Sequence, residues 1–568
     1  MREPREWCSS VGLVLGVVIV LLAAAAGPRP LASGIGAGIG SGLSRPASMA
    51  WMPVRVVPQG IPSIVFVSRN PIPGDPRAVP GLGPAHRTAI TGGRLMIRES
   101  NGTVRQILPK GALFDVSDPA VSLDARSIAF AGTPAPDSAW RLYVVGLDGQ
   151  GLRAITRSDE PRAGRYDDFD PCWIGGRRLC FASTRLGLTA QYADVAVSNL
   201  YVVDVPKSGA PPNRPRRITS ERNGAEEPTV DPIRHEIVFA RWWFNRFQAS
   251  VDGVTTASAN ALPRDSVNLW EAVALDETGP HLAFGDLASR RALMAYQPAF
   301  LADGSPVGVD ALNLGLWPRP GALGIQHFPY RVGRSERVAG ASIPDSLHGY
   351  GELGLAAPSA CAPAGLPNGR VIFAYSPGGR GDFGLYYCDA EGHFPPQLLI
   401  DLPGTLELDP APVVTRPDPN LHGVPTEDLP PRPATLADCA TRPTFTYHSL
   451  GVFRGASPAR DAPAKVPGAR LRFYAVPLAT ADAARDTVVL VREAPVRSDG
   501  SIEEKGLPAD VPLFEQLVDA HGRVLVSAHG PAHVAGFNAG APHGESRCVG
   551  CHLGHSAIRL PQPPIGTR

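Results

Sequence analysis

The chain has almost no net charge: 54 basic and 53 acidic residues leave a formal charge of +1 over 568 residues. Such a balance supplies no global field to hold nucleic acid or an anionic membrane surface, so neither is an expected partner. Long apolar runs are also missing. The run Val11–Ala26 falls short of the roughly 18 to 20 residues that span a bilayer comfortably. No G-x-S-x-G elbow and no H-E-x-x-H helix occurs, which argues against the hydrolases that depend on them. Cysteine is scarce, at 8 residues, and each position is therefore informative.

What is present begins with export. Arg2 and Arg5 precede the apolar run, and Ala24-Ala25-Ala26 before Gly27 offers a small-residue cleavage site, so residues 1–26 read as a signal peptide. Cys8 lies before the run and is lost with it. The expectation is a periplasmic or otherwise exported protein with no stable membrane span, or a membrane-anchored one if the segment is retained. Residues 27–59 follow as a Gly/Ser-bearing flexible linker whose glycines never complete a phosphate-binding loop.

Glycine and proline are abundant together, at 61 and 60 residues, which points to many turns and short strands and hence to a mainly β fold. From 60 to 405 a loose repeat recurs. Ser117-Asp118-Pro119 leads to Ser127–Phe130 and Arg141–Val145; Phe169-Asp170-Pro171 leads to Leu179–Ser183 and Asn199–Asp204; Glu227-Pro228 leads to Glu236–Phe239 and Asn268–Trp270. Arg370–Phe373 with Leu385–Tyr387 forms another copy. A unit of about 40 to 57 residues cannot bury both faces of its sheet unless neighbours stack on it, and closing the ring supplies them. The expectation is a WD-like β-propeller of about six blades, with strands at Ser63–Ser68 and Arg94–Glu99 in the first and a poorly defined fifth from His281 to about Tyr350. Cys361 and Cys388 flank two strands of one blade and are placed to pair in an oxidising compartment.

Residues 406–443 are dense in proline and read as a linker or strap, and 444–568 as a small β-sandwich-like domain ending in a haem-motif segment. Its strands are expected at Leu471–Val476, Thr487–Val491, Leu513–Val518 and Val524–Val526.

The most specific motif lies there. Cys548-Val549-Gly550-Cys551-His552 is C-x-x-C-H, in which two thiols form thioethers to the haem vinyl groups and the adjacent imidazole reaches the iron. One covalent haem c is the expected cofactor. The same segment has a second use, because Cys548, Cys551, His552 and His555, with His543 nearby, offer tetrahedral ligands to zinc. An inert or disulfide-bonded pair is the third reading.

Within the repeats, Asp167, Asp168 and Asp170 with Cys172 gather three carboxylates and a thiol at a blade entry, a grouping suited to a cation or to proton uptake. Cys172 is a candidate metal ligand. Arg241-Trp242-Trp243-Phe244 offers a guanidinium and aromatic faces at the same channel mouth. Turn capping and blade packing explain the same residues without any ligand.

At these residues the chain resembles proteins related to the hydrazine synthase alpha subunit. The resemblance rests on Tyr166–Trp173, Phe181-x-Ser183-Thr184-Arg185, Arg241-Trp242, Ser498-Asp499-Gly500-Ser501, Pro508–Leu513 and Gly544-Glu545-x-Arg547-Cys548-x-Gly550-Cys551-His552. It covers most of the mature chain and implies an N-terminal propeller followed by a middle domain that ends at a haem motif, without the synthase's further haem domain. In such middle domains the resemblance implies an iron served by a tyrosine downstream of the motif, with the motif histidine serving zinc. No tyrosine follows His552 here, and Ser556 stands at the four-residue offset. Either His552 ligates iron in the ordinary way or a histidine from His555, His543, His533 and His529 replaces the tyrosine.

Two functions follow as expectations. One is an exported c-type haem protein of redox or electron-transfer function, an oxidoreductase if an axial position stays open, with a redox partner protein or a small nitrogen or oxygen species as its partner. The other is a cell-envelope propeller binding module whose Cys/His segment is a structural metal site.

Overall fold

The computed structural model describes residues 60–548 apart from internal segments, chiefly 158–164, 257–268, 285–294, 312–322, 328–335, 341–357, 422–435, 454–462 and 477–487. Its architecture is nearly all β, with one short helix, Leu436–Ala440, among the described residues. None of the described helices is long and apolar enough to cross a membrane.

Six four-stranded antiparallel sheets form a β-propeller. Blade 2 comprises Asp115–Val121, Ser127–Thr133, Arg141–Gly146 and Arg153–Ala154; blade 3 comprises Asp168–Trp173, Arg178–Ser183, Asn199–Asp204 and Arg216–Arg217. Blade 4 comprises Ala225–Asp231, Glu236–Trp243, Leu269–Asp276 and Gly279–Phe284, and carries an extra hairpin, Phe247–Ser250 with Gly253–Thr256. Blade 5 begins at Tyr296–Phe300 and continues through Pro306–Ala311, Leu323–His327 and Glu336–Gly340. His281 thus belongs to the outer strand of blade 4 and not to the fifth repeat. Blade 6 holds Ser359–Gly365, Arg370–Ser376, Gly384–Asp389 and Gln397–Ile400.

Blade 1 closes the ring. Its strands Ile64–Arg69, Gly93–Arg98 and Val104–Gln106 receive their innermost partner from Leu406–Pro412, which pairs antiparallel with Ile64–Arg69. This closing strand lies just past 405, the expected end of the propeller, because its Asp409-Pro410 reads in sequence as the start of the proline-rich strap.

Every inner strand breaks at the same place. Asp118, Asp170, Glu227, Gln297, Ala362 and Asp409 each precede a proline, each has a φ between 45° and 54°, and each sits in a bulge where the pairing register shifts. Proline cannot donate to the ladder, so the strand bulges there and the preceding residue takes a left-handed turn. First strands of neighbouring blades contact one another around the ring, so these six positions surround its axis. Between the blades the core is aromatic: Trp270, fully buried, stacks on Trp242 at 5.6 Å and meets Tyr296 edge-on at 4.9 Å.

After the strap come two three-stranded sheets. Thr444–Ser449 lies between Ile502–Pro508 and Glu545–Cys548, and Arg470–Ala475 lies between Val489–Pro495 and Leu513–Val518. Phe445, Tyr447, Leu471, Phe473, Leu507 and Leu517 bury one core between them, with the Tyr447 and Phe473 rings 5.0 Å apart. Two sheets sharing a core make a small sandwich. Thr444–Ser449 and Ile502–Pro508 escape a sequence reading because charged and threonine residues alternate along them, with Glu503 exposed between buried Ile502 and half-buried Glu504.

Cys361 and Cys388 are separate buried thiols. Cys361 is paired with Ala374 and Cys388 with Val371, on either side of the strand Arg370–Ser376, so that strand keeps the two sulfurs from bonding.

Candidate functional site

The haem-motif strand is anchored in the sandwich. Glu545–Cys548 runs parallel to Thr444–Ser449, placing the Cys548 backbone opposite Ser449. Cys551, His552, His555, His533 and His529 lie outside the described residues. His543 is exposed in the turn that leads into this strand, with a φ of 61°, and its N–H donates to the Thr444 carbonyl at 2.9 Å. A histidine that sequence reasoning passed over, His448, stands in register with Arg547, its Nε2 3.7 Å from Glu545 Oε1.

One buried acid lies in the same module. Glu515 is 2% exposed on Leu513–Val518, and burial pushes its carboxyl up to about 7 against the hydrogen bonds it accepts from Asn538 Nδ2 at 3.0 and 3.2 Å. Val534 and the segment 536–541 cross this strand: Val534 N–H donates to Glu515 O, and Leu513 and Asn538 exchange both backbone hydrogen bonds at 2.7 Å. The other side of that segment meets the propeller. Gly536 lies against the Trp243 indole so closely that a Cβ would overlap the ring, and Asn245 Nδ2 donates to Val534 O at 3.3 Å. Farther along, Gly279 of blade 4 approaches Ala541. Sequence reasoning missed Glu515, although an acid inside Leu513-Phe514-Glu515-Gln516-Leu517-Val518, where all six residues are buried, is the signal that marks it.

Of the propeller candidates, Trp242 is core, stacked on Trp270, while Arg241 pairs with Glu271 at 2.8 Å and lies 4.3 Å from the Trp243 ring. Of this run, Trp243 is the residue that meets the second module, at Gly536. The three aspartates do three separate things. Asp167 accepts from the Trp140 N–H at 3.0 Å, Asp168 is fully buried against Arg185 at 2.7 Å, and Asp170 faces the propeller axis. Cys172 lies across from Cys180 in register, and burial pushes its thiol up to about 11. Among the described residues no three His, Cys, Asp or Glu side chains converge as metal ligands.

Around the axis the acids are linked in series. Asp118 Oδ2 accepts from the Asp170 N–H at 3.3 Å, Asp170 Oδ2 from the Glu227 N–H at 2.9 Å, Glu227 Oε1 from Gln297 Nε2 at 3.1 Å, and Gln297 Oε1 from the Ala362 N–H at 2.8 Å. Asp409 accepts from the Asp118 backbone. Each blade except blade 6, whose bulge carries Ala362, thus holds the next by the side chain at its bulge. Burial, then repulsion from Asp118, raises Asp170 well above the ordinary carboxylate range; burial, then Asp170, does the same to Glu227; and burial, then Asp118, puts Asp409 at about 7.

One arginine, Arg87, reaches across the ring. This residue sits in the long loop between the Ile64–Arg69 and Gly93–Arg98 strands of blade 1, yet it reaches residues of blades 3 and 4 on the far side of the ring. It pairs with Glu226, donates to Ser198 Oγ and the Ala196 carbonyl, and lies 5.1 Å from the Phe169 ring; Tyr296 of blade 5 donates to the same Glu226 at 2.7 Å.

A solved hydrazine synthase from Kuenenia stuttgartiensis is similar over 88% of this chain and 71% of that one, at 16% identity and a TM-score of 0.61. The likeness establishes a shared fold. TolB from Acinetobacter baumannii aligns over 62% of this chain at 16% identity with a TM-score of 0.37. No protein-family model and no curated protein sequence matches the chain.

Proposed function

We propose that this chain is an exported c-type haem protein of redox or electron-transfer function, acting on a small nitrogen or oxygen species, with the propeller as the body on which the haem-bearing module is docked. The observation that carries the reading is the C-x-x-C-H segment, whose donor set fits the group: two thiols three residues apart for the thioethers and an adjacent imidazole for the iron. Cys548, Cys551 and His552 would hold it. When bound, haem supplies one-electron redox chemistry and a coordination position for a small ligand.

This chain's own residues support the reading in two ways. Strand pairing with Thr444–Ser449 fixes the backbone of the first motif cysteine, so attachment starts from a rigid element and not from a loose tail. Glu515, a buried carboxyl at about 7, holds or releases a proton near neutrality in the same module. The fold shared with hydrazine synthase agrees with a redox role.

The test is co-expression with the c-type haem maturation machinery, followed by intact mass and absorbance. A mass increased by one haem, resistant to acid extraction and lost in the Cys548→Ser, Cys551→Ser double variant, is expected. Exported protein with stoichiometric zinc and no haem increment would overturn the reading in favour of a propeller binding module with a structural Cys/His site.

A further inference from the structure

Blades 2 and 3 and the strap that leaves the closing strand enclose a cleft of about 420 Å³. Three guanidinium groups line it: Arg153 from the outer strand of blade 2, Arg177 from the first turn of blade 3, and Arg416 from the strap. The wall between them is apolar, formed by Val144, Trp173 and Val205.

Among the described hydrogen bonds, these arginines donate only to carbonyl oxygens. Arg177 donates to Val205 O at 3.2 Å and Pro206 O at 2.7 Å, Arg153 to Pro206 O at 3.4 Å, and Arg416 to Val121 O. Among the described ion pairs, no carboxylate partners any of the three. The two acids on the cleft are already engaged: Asp418 accepts the N–H groups of Gly176 and Asn420, and Asp124 accepts from Ser122 Oγ and the Arg126 N–H. Arg153 Nε is buried without a hydrogen-bond partner. Burial, and next the nearby Arg177 charge, lowers the Arg153 pKa, as expected for two cations crowded together. Clustered like charges with an unfilled donor cost stability unless an anion satisfies them.

We infer that this cleft binds a small organic oxyanion, its carboxylate or phosphate held by Arg153 and Arg177 and its apolar body laid on Trp173. Guanidinium forks match planar or tetrahedral oxyanions in charge and geometry, whereas the apolar wall discriminates against a bare inorganic ion. The site is built entirely from the propeller and the strap and does not depend on haem.

The experiment is calorimetric titration of the mature holoprotein with benzoate, phenyl phosphate and inorganic phosphate at low ionic strength. Benzoate or phenyl phosphate is expected to bind with a Kd of about 1 mM or tighter and inorganic phosphate more weakly; the two aromatic arms separate carboxylate from phosphate recognition. Arg153→Gln and Arg177→Gln should each weaken binding about tenfold or more, while the distant exposed Arg523→Ala should leave it unchanged. Should a guanidinium variant fail to fold, Thr415→Trp, at an exposed position on the cleft, blocks the site without removing a charge and should abolish binding. Absence of saturable binding by both aromatic anions, equal affinity in the arginine variants, or an equal loss in Arg523→Ala would overturn the proposal.

Discussion

The propeller axis and the sandwich both bury carboxyl groups, but they bind them differently. At the axis, Asp118 and Asp170 accept a backbone N–H from the next blade, so the acids act as fasteners between sheets. Glu515 joins no second blade: its carboxyl accepts from its own N–H and from Asn538, an amide on the segment that separates the sandwich from Trp243. The first arrangement spends its acids on closing the ring, whereas the second holds a carboxyl that ties no two blades together. A raised pKa therefore accompanies ring closure at the axis, whereas in the sandwich it belongs to a carboxyl of the proposed haem-bearing module.

The comparison breaks first at Asp170. Replacing it with leucine removes the acceptor of the Glu227 N–H, leaves that donor buried, and forces a branched side chain to a φ of 50°. An unsatisfied buried donor costs about 1–3 kcal/mol and a left-handed non-glycine residue about 1–2 more, so Asp170→Leu should lose about 3 kcal/mol in urea unfolding. A loss under about 1 kcal/mol would show that the axial links are not fasteners.

Glu515→Gln sharpens the other side. The native carboxyl titrates at about 7 against an ordinary 4.5, so between those values the folded state keeps a proton that the unfolded state has released. Stability is then fully present below 4.5, falls as pH rises through the window, and levels off above 7. An amide keeps an acceptor for Asn538 and cannot ionise. The variant should match the wild type near pH 4 and exceed it by about 2 kcal/mol at pH 8, measured as urea midpoints at the two pH values. An equal change at both would remove the proton-handling role.

How much of this is legible without coordinates depends on what each residue answers to. Blade count, strand-rich repeats and the Asp-Pro pairs of blades 2 and 3 are local and visible in the chain. The common bulge is also local, an X-Pro step recurring as Gln297-Pro298, Ala362-Pro363 and Asp409-Pro410, but its first residue varies from acid to amide to methyl, so matching on the acid hides the last two blades before the strap. The closing strand and the reach of Arg87 are not local at all. Arg87 lies among loop glycines in sequence and finds Glu226 and Ser198 only once six sheets have closed into a ring. The same holds for Trp243 against Gly536, a contact between residues nearly three hundred positions apart. The motif cysteines are the reverse case, specific in sequence and tied to the described fold only through the backbone of Cys548.

The smallest expected effect is the most selective. Ala362 is the one position of the six with neither an acid nor an amide, so blade 6 presents no side-chain acceptor to blade 1 at the point where the chain's last inner strand closes the ring. Asparagine there would add a neutral acceptor toward Asp409 and would suit a φ of 51° better than alanine, since its short polar side chain tolerates the left-handed region. Ala362→Asn should therefore gain about 1 kcal/mol at any pH, whereas Ala362→Asp should gain as much only at low pH and lose it as pH rises toward 8, because a fifth axial carboxyl meets Asp118, Asp170, Glu227 and Asp409. Paired urea midpoints at pH 5 and pH 8 measure both. A gain for aspartate equal to that for asparagine at pH 8 would mean that charge is screened at the axis, and the distinction between fastening acids and the lone Glu515 would then rest on hydrogen bonding alone.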